Sequence, residues 1–145
     1  MKIINEMKLS FDSRSVNESF SRVAVSAFAA ALDPTVEELS DIKTAVSEAV
    51  TNAIVHGYRE KMGKIYITAA VTDNNVIRIR IRDRGVGIED IEQAMQPLFT
   101  TLGGERAGLG FAVMESFMDK VRVRSKPGCG TTVTLEKHIL GKETK

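Results

Sequence analysis

At 145 residues, with 43% hydrophobic and 27% charged side chains, the chain has the size and mixture of one globular domain with a sizeable core. Twenty basic against nineteen acidic residues leave a net charge of +1, which excludes bulk attraction to nucleic acid and makes any basic surface a local one. The single cysteine, Cys129, excludes an internal disulfide, and two distant histidines make no metal-ligand pattern. No apolar run approaches the roughly 20 residues that span a bilayer, so a cytoplasmic protein is expected, with neither a membrane nor a direct nucleic-acid partner.

Lys2 to Phe11 sets Met7, Leu9 and Phe11 against Lys8 and Ser10, an alternation that predicts a strand. A helix is predicted over 16–32. Its apolar positions Phe20, Val23, Ala24, Ala27, Phe28 and Ala31 recur at helical spacing and predict the buried face, with Asn17, Glu18, Ser21 and Arg22 outside it. Asp33-Pro34 ends this helix, and Thr35 with Glu38 forms a capping box that opens the next. In this second helix Leu39, Ile42, Val46, Ala49, Val50, Ala53 and Ile54 make one stripe. Glu48 and Asn52, four residues apart, project together on its flank. A carboxylate there can hold a proton or orient a nucleophile, and a neutral amide can ligate a hard cation such as Mg²⁺. The competing reading is two solvated polar groups. Gly57 is a suitable C-cap.

Lys64 to Thr72 and Val76 to Arg82 are predicted to pair as a hairpin around Asp73-Asn74-Asn75. The second strand alternates Ile77, Ile79 and Ile81 with Arg78, Arg80 and Arg82, one face for the core and one basic. With Arg122 and Arg124 on a later strand these arginines could make a positive face for a partner or nucleic acid, although antiparallel sheets commonly leave a charged face in water. From Asp83 to Gly110 glycines interrupt any periodicity, and the segment reads as a functional lid with a short helical piece near Glu89 to Met95. A helix is predicted from Gly110 to Met118, opening directly out of a Gly108-Leu109-Gly110 turn. Val121 to Ser125 and Thr131 to Lys137 form a second hairpin around Pro127-Gly128-Cys129-Gly130. One domain over 5–140 is expected, with 141–145 as a flexible tail.

Three features ask for a common explanation. Glycines at the head of a helix admit an anion to its unpaired amides. Asp83, closing a strand before Gly85 and Gly87, can accept from an exocyclic amine while the glycines admit a flat ring. Each alone is equally a tight turn, and neither Walker nor dinucleotide spacing is present. Together and in this order, Glu48 and Asn52, Asp83 with Gly85 and Gly87, Gly108 with Gly110, and Gly130-Thr131 resemble the Bergerat ATP-binding superfamily of gyrases, histidine kinases and MutL proteins. That resemblance implies an α+β fold, a two-layer sandwich of a mixed, mainly antiparallel sheet with helices on one face. It implies ATP as ligand, with Asp83 on the adenine amine and Gly85, Gly87, Ile88 and Thr131 around the base. It also implies Asn52 on Mg²⁺, and Gly108, Leu109, Gly110 and Phe111 around the phosphates.

The segments NESFSRVAVSAF, LDPTVEELSDIKTAVSEAVTNAIVHGY, QPLFTT and ESFMDKV carry a closer likeness, from residue 5 to 140, to the sporulation anti-sigma F family of serine-protein kinases. This likeness implies a homodimer that holds a sigma factor inactive and phosphorylates a serine on an anti-anti-sigma protein. Glu48 is then the catalytic base or orienting carboxylate, Thr100, Thr101 and Arg106 are lid residues at the nucleotide, and Arg22 lies on a partner-docking helix. The lid 102–107 departs from the family pattern in length and composition. The sister anti-sigma B kinases and a non-catalytic, nucleotide-gated binding protein are the competing readings, and His56 is expected either to support the site from behind its contact residues or to be a packing residue.

Overall fold

The structure, a computed structural model, describes residues 2–95 and 106–141, and for 106–109 the backbone alone. The alternation read from the sequence becomes a sheet. β2 (Lys64–Thr72) and β3 (Val76–Asp83) pair as the predicted hairpin, with Asn75 of its turn at φ 64°. β1 (Ile3–Asp12) adds to the free edge of β2 and places Phe11 opposite Ile65. The second hairpin, β4 (Lys120–Lys126) with β5 (Gly130–His138), joins through β5 to β3, so the strand order is β1-β2-β3-β5-β4. The sheet is antiparallel in all four of these ladders.

Burial explains why a strand with three arginines takes the centre. Ile77, Ile79 and Ile81 are at most 2% exposed, and each gains about 1.5–3 kcal/mol from leaving water. Ile65 and Ile67 of β2 and Val133 and Leu135 of β5 complete the same buried face. The period of two sends every intervening side chain to the other face of the sheet.

Helices cover the apolar face. α2 (Val36–Asn52) packs between α1 (Val16–Ala29) and α4 (Arg106–Phe117), and α3 (Ile91–Met95) is a short piece against α4. The capping box of α2 is complete: the Glu38 N–H donates to Thr35 Oγ1 at 3.0 Å and the Thr35 N–H to Glu38 Oε1 at 2.9 Å. The same carboxylate accepts from the Leu140 and Gly141 N–H groups at 2.7 and 3.2 Å. Gly141, expected in a flexible tail, is therefore buried and tied to the start of α2.

The rotation of α1 corrects the sequence expectation. Its buried residues are Ser21, Val25, Ser26 and Ala29, whereas Phe20 and Val23 are 52% and 66% exposed. Small side chains let α1 approach α2 closely, and the two serines cost little to bury because each hydroxyl donates to a carbonyl of its own helix, Glu18 and Arg22, at 2.6 Å. Phe20 sits at the rim, edge-on to Phe11 with ring centroids 6.1 Å apart. Hydropathy ranks Phe above Ser; the contact between the helices reverses that order.

Candidate functional site

α2 does not end at a simple glycine cap. Ala53–Gly57 continues it as a π turn, closed by the Tyr58 N–H on the Ala53 carbonyl at 2.9 Å. A π turn widens the helix by one residue and is frequent at functional sites. Here it sets Ala53, His56 and Gly57 into the wall of a cavity of about 400 Å³. The other walls are Ile81 and Asp83 of β3, the 86–90 segment, Gln93 and Ala94 of α3, Phe111 of α4, and Thr131 and Val133 of β5.

Asp83 closes β3 at the cavity and is 5% exposed. Its Oδ1 accepts the Gly85 N–H at 2.8 Å. Burial pushes its carboxyl above the usual carboxylate range, while the backbone N–H groups of Gly85 and Thr131 pull the other way. Gly85 lies behind the carboxylate, where a Cβ would come within 2.1 Å of the Gly57 carbonyl oxygen. Thr131 stands opposite Asp83 in the β3–β5 ladder, and its hydroxyl shares a 2.8 Å hydrogen bond with Ser125 Oγ.

Across the cavity the polar groups are unsatisfied. Asn52 Nδ2 and His56 Nδ1 are buried without a hydrogen-bond partner among the described residues. Burial, and then the Arg59 charge, hold the His56 imidazole below its usual range. Buried polar atoms are ordinarily paired, so two orphans on one wall mark where a polar ligand belongs. The Asn52 side chain can turn either its amide or its carbonyl to that ligand.

A family model for the histidine kinase-like ATPase domain matches residues 10–137. The anti-sigma F factor of Thermoanaerobacter sp. (strain X514) is 60% identical over 140 residues, covering 96% of this chain and 97% of that protein. The anti-sigma F factor of Bacillus subtilis (strain 168) is 56% identical over 137 residues, covering 93% of each. This chain belongs to the anti-sigma F factor family. Among solved structures, the RsbU and RsbW domains of a Mycobacterium tuberculosis protein share the fold. The TM-score there is 0.68 at 22% identity, over 93% of this chain and 32% of that one.

The nucleotide that this ATPase family implies fits what the structure offers. A cavity of about 400 Å³ lies in the ordinary range for small-ligand sites, with a buried carboxylate at one wall and the orphaned amide of Asn52 at another. No group of three or more His, Cys, Asp or Glu among the described residues could hold a metal. No helix of the described residues is long and apolar enough to cross a membrane.

Of the residues singled out in the sequence, Asn52, Asp83, Gly87, Ile88, Phe111 and Thr131 line the cavity. Glu48 does not; it sits one turn before Asn52 on α2, half-buried and engaged with its own surroundings. Gly85 supports Asp83 from behind. Arg106, Gly108, Leu109 and Gly110 lie inside α4, which begins at Arg106 and not at Gly110. The Gly-Leu-Gly turn expected ahead of the helix is thus part of its first turns. A glycine inside a helix costs about 1 kcal/mol, and at Gly110 packing explains the choice, since a Cβ would come within 3.0 Å of Asn52 Nδ2. Thr100 and Thr101 fall outside the described residues. Arg22 lies on α1 away from the cavity, ion-paired with Glu18 at 2.6 Å and donating to Ser19 Oγ at 3.1 Å.

The sequence reading missed His56, Gly57 and Arg59 as cavity residues. Continuing the i, i+4 step from Asn52 reaches His56. The π turn that aims it carries no sequence signal of that kind. Tyr58 was also missed: its hydroxyl accepts the Arg84 N–H at 2.8 Å and donates to the Lys64 carbonyl, which pins the chain just after Asp83.

Proposed function

We propose that this chain is an ATP-dependent protein serine kinase that also holds a sporulation sigma factor inactive. The observation that carries the reading is the pairing, across one cavity, of a buried acceptor at Asp83 with an unsatisfied amide at Asn52. It is supported by 56–60% identity to anti-sigma F factors. In this reading Asp83 accepts a hydrogen bond from the adenine amine, with Gly87, Ile88 and Thr131 flanking the base and Gly85 backing the carboxylate. Asn52 would hold Mg²⁺ through its side-chain carbonyl, and the ion would offset the charge of the phosphates. The first turns of α4, with Gly108, Leu109, Gly110 and Phe111, lie around the phosphates, and the free N–H groups at the helix start from Arg106 offer them the positive end of its dipole. Glu48 receives the proton of the incoming serine hydroxyl. Thr100, Thr101 and Arg106 close over the nucleotide as a lid, and the protein acts as a homodimer in the cytoplasm, on an anti-anti-sigma protein as substrate.

Transfer of label from γ-labelled ATP to a serine of the anti-anti-sigma protein tests the reaction itself. A second reading, a nucleotide-gated binding protein without catalysis, is favoured by one observation, that Glu48 does not line the cavity. Binding of ATP with no transfer in that assay would select it.

The adenine assignment is tested at Asp83. Asp83→Ala leaves the amine unpaired in a buried site, and nucleotide affinity is expected to fall by about 1–3 kcal/mol, roughly five- to hundred-fold, by titration calorimetry. Unchanged affinity in a folded variant would remove Asp83 from the base.

Partner docking is assigned to α1. Its Phe20, Val23 and Ala27 are exposed, and Arg22 stands beside them, held by Glu18. An arginine fork beside apolar surface is the usual anchor of an interface. Arg22→Glu should leave ATP binding intact and weaken capture of the sigma factor, the anti-anti-sigma protein, or both by about tenfold or more. Calorimetry with each partner, in ATP and in ADP, reads this out; equal affinities throughout would move docking away from α1.

A further inference from the structure

The face of the sheet turned away from the helices carries an arrangement that nucleotide binding does not use. Its side chains line up in rows across the strands. Two rows are balanced: Lys64 pairs with Asp12 at 2.8 Å, and Arg78 pairs with Glu136 at 2.9 Å. The two rows between them are not. One runs Ser10, Tyr66, Arg82, Thr132, Arg124, and the next Lys8, Thr68, Arg80, Thr134, Arg122. Where Arg78 meets a glutamate on β5, Arg80 and Arg82 meet threonines. Lys8, Arg80, Arg82, Arg122 and Arg124 are exposed, and none has an ion-pair partner among the described residues. Exposed Arg84 joins them, its guanidinium 5.1 Å from the Tyr66 ring centre, with Arg82 at 5.9 Å.

Six of the twenty basic residues therefore gather on one face of a chain whose net charge is only +1. Arg80 with Arg82 on β3, and Arg122 with Arg124 on β4, concentrate like charge in rows that hold no carboxylate to offset it, and a merely solvated face would be as well served by the glutamate pairing that Arg78 already has. The four arginines frame β5. Those of β3 stand about 10 Å from those of β4, and along each strand the two are about 7 Å apart. Short, half-exposed threonines form the floor between them.

We propose that this open face is a docking surface for an acidic stretch of a partner protein, whose carboxylates enter the frame of Arg80, Arg82, Arg122 and Arg124. Arginine suits the role because its planar fork binds a carboxylate bidentately. A second copy of this chain is disfavoured, because two such faces would meet with like charge. Nucleic acid is disfavoured by shape and chemistry: a broad flat sheet does not enter a duplex groove. The face's aromatic ring, Tyr66, lies under two guanidiniums rather than open for a base to stack on. The surface lies on the opposite side of the sheet from the nucleotide cavity, so its test is independent of the kinase reading.

The probe is a short fluorescein-labelled oligoglutamate, followed by anisotropy at low and physiological salt. It is titrated into wild-type protein, Arg80→Glu/Arg122→Glu, the milder Arg80→Gln/Arg122→Gln, and Arg78→Gln from the balanced row. Thermal melts and nucleotide affinity confirm the fold of each. Salt-sensitive binding by the wild type is expected, about tenfold or more weaker in the charge-reversed variant, weakened to a lesser extent in the glutamine pair, and nearly unchanged in Arg78→Gln. The proposal is overturned by absence of wild-type binding, by equal affinity in wild type and both double variants, or by tighter binding of duplex DNA of matched charge. It is overturned equally if charge reversal abolishes self-association while oligoglutamate binding persists, which would place a second copy on this face.

Discussion

Glu48→Gln should bind ATP with the wild-type affinity and phosphorylate its serine substrate about two to four orders of magnitude more slowly. The substitution keeps the size and hydrogen-bonding reach of the side chain and removes only its capacity to take a proton. Its position makes the expectation specific. Glu48 stands one helical turn before Asn52 and outside the cavity wall, so a group that takes the proton of an incoming hydroxyl can lie there without touching the base or the ribose. Single-turnover transfer from γ-labelled ATP, measured beside equilibrium nucleotide binding, separates the two quantities. Retained transfer would make Glu48 a structural residue of α2, and a parallel loss of binding would place it in the nucleotide site itself.

Gly130→Ala is expected to cause a large loss of stability for a single added methyl group near the cavity. Gly130 opens β5 at φ 95°, a conformation that L side chains rarely adopt. A Cβ there would come within 2.2 Å of the Asp83 carbonyl oxygen and 2.7 Å of the Arg84 Cα. Both neighbours are backbone and cannot swing aside. Overpacking and backbone strain together should cost about 3–5 kcal/mol. Because the displaced atoms carry Asp83, nucleotide affinity should fall together with the urea midpoint. A variant as stable as wild type would mean that the β3–β5 junction can open freely, contrary to the close approach seen here.

Much of this could be read without coordinates because the signals are local. The hairpin of β2 and β3 follows from its alternation and its Asp-Asn-Asn turn, and the capping box of α2 from two residues three apart. The inside and outside of β3 follow from the period of two. Asp83 and Asn52 were recognisable as a pair from the order of four short motifs, and the structure sets both on one cavity wall system. Glu48 was recognisable in the same way, yet its distance from that cavity was not.

What tertiary structure alone decided depends on contacts between residues far apart in the chain. The buried face of α1 runs through Ser21, Val25 and Ser26 because α2 rewards small side chains there, which hydropathy cannot register. α4 starts at Arg106 and not at Gly110, since packing on α2 outweighs the poor helix propensity of its glycines. The π turn that aims His56 and Gly57 into the cavity has no periodic signature in eleven or so residues of sequence. Strand order belongs to the same class. Periodicity determined which side chains of β3, β4 and β5 share a face, but only the insertion of β5 between the other two sets Thr131 beside Asp83 and frames Thr132 and Thr134 with arginines. Ladder partners are chosen by how whole strands and helices bury their apolar faces together, and no short window of sequence carries that information.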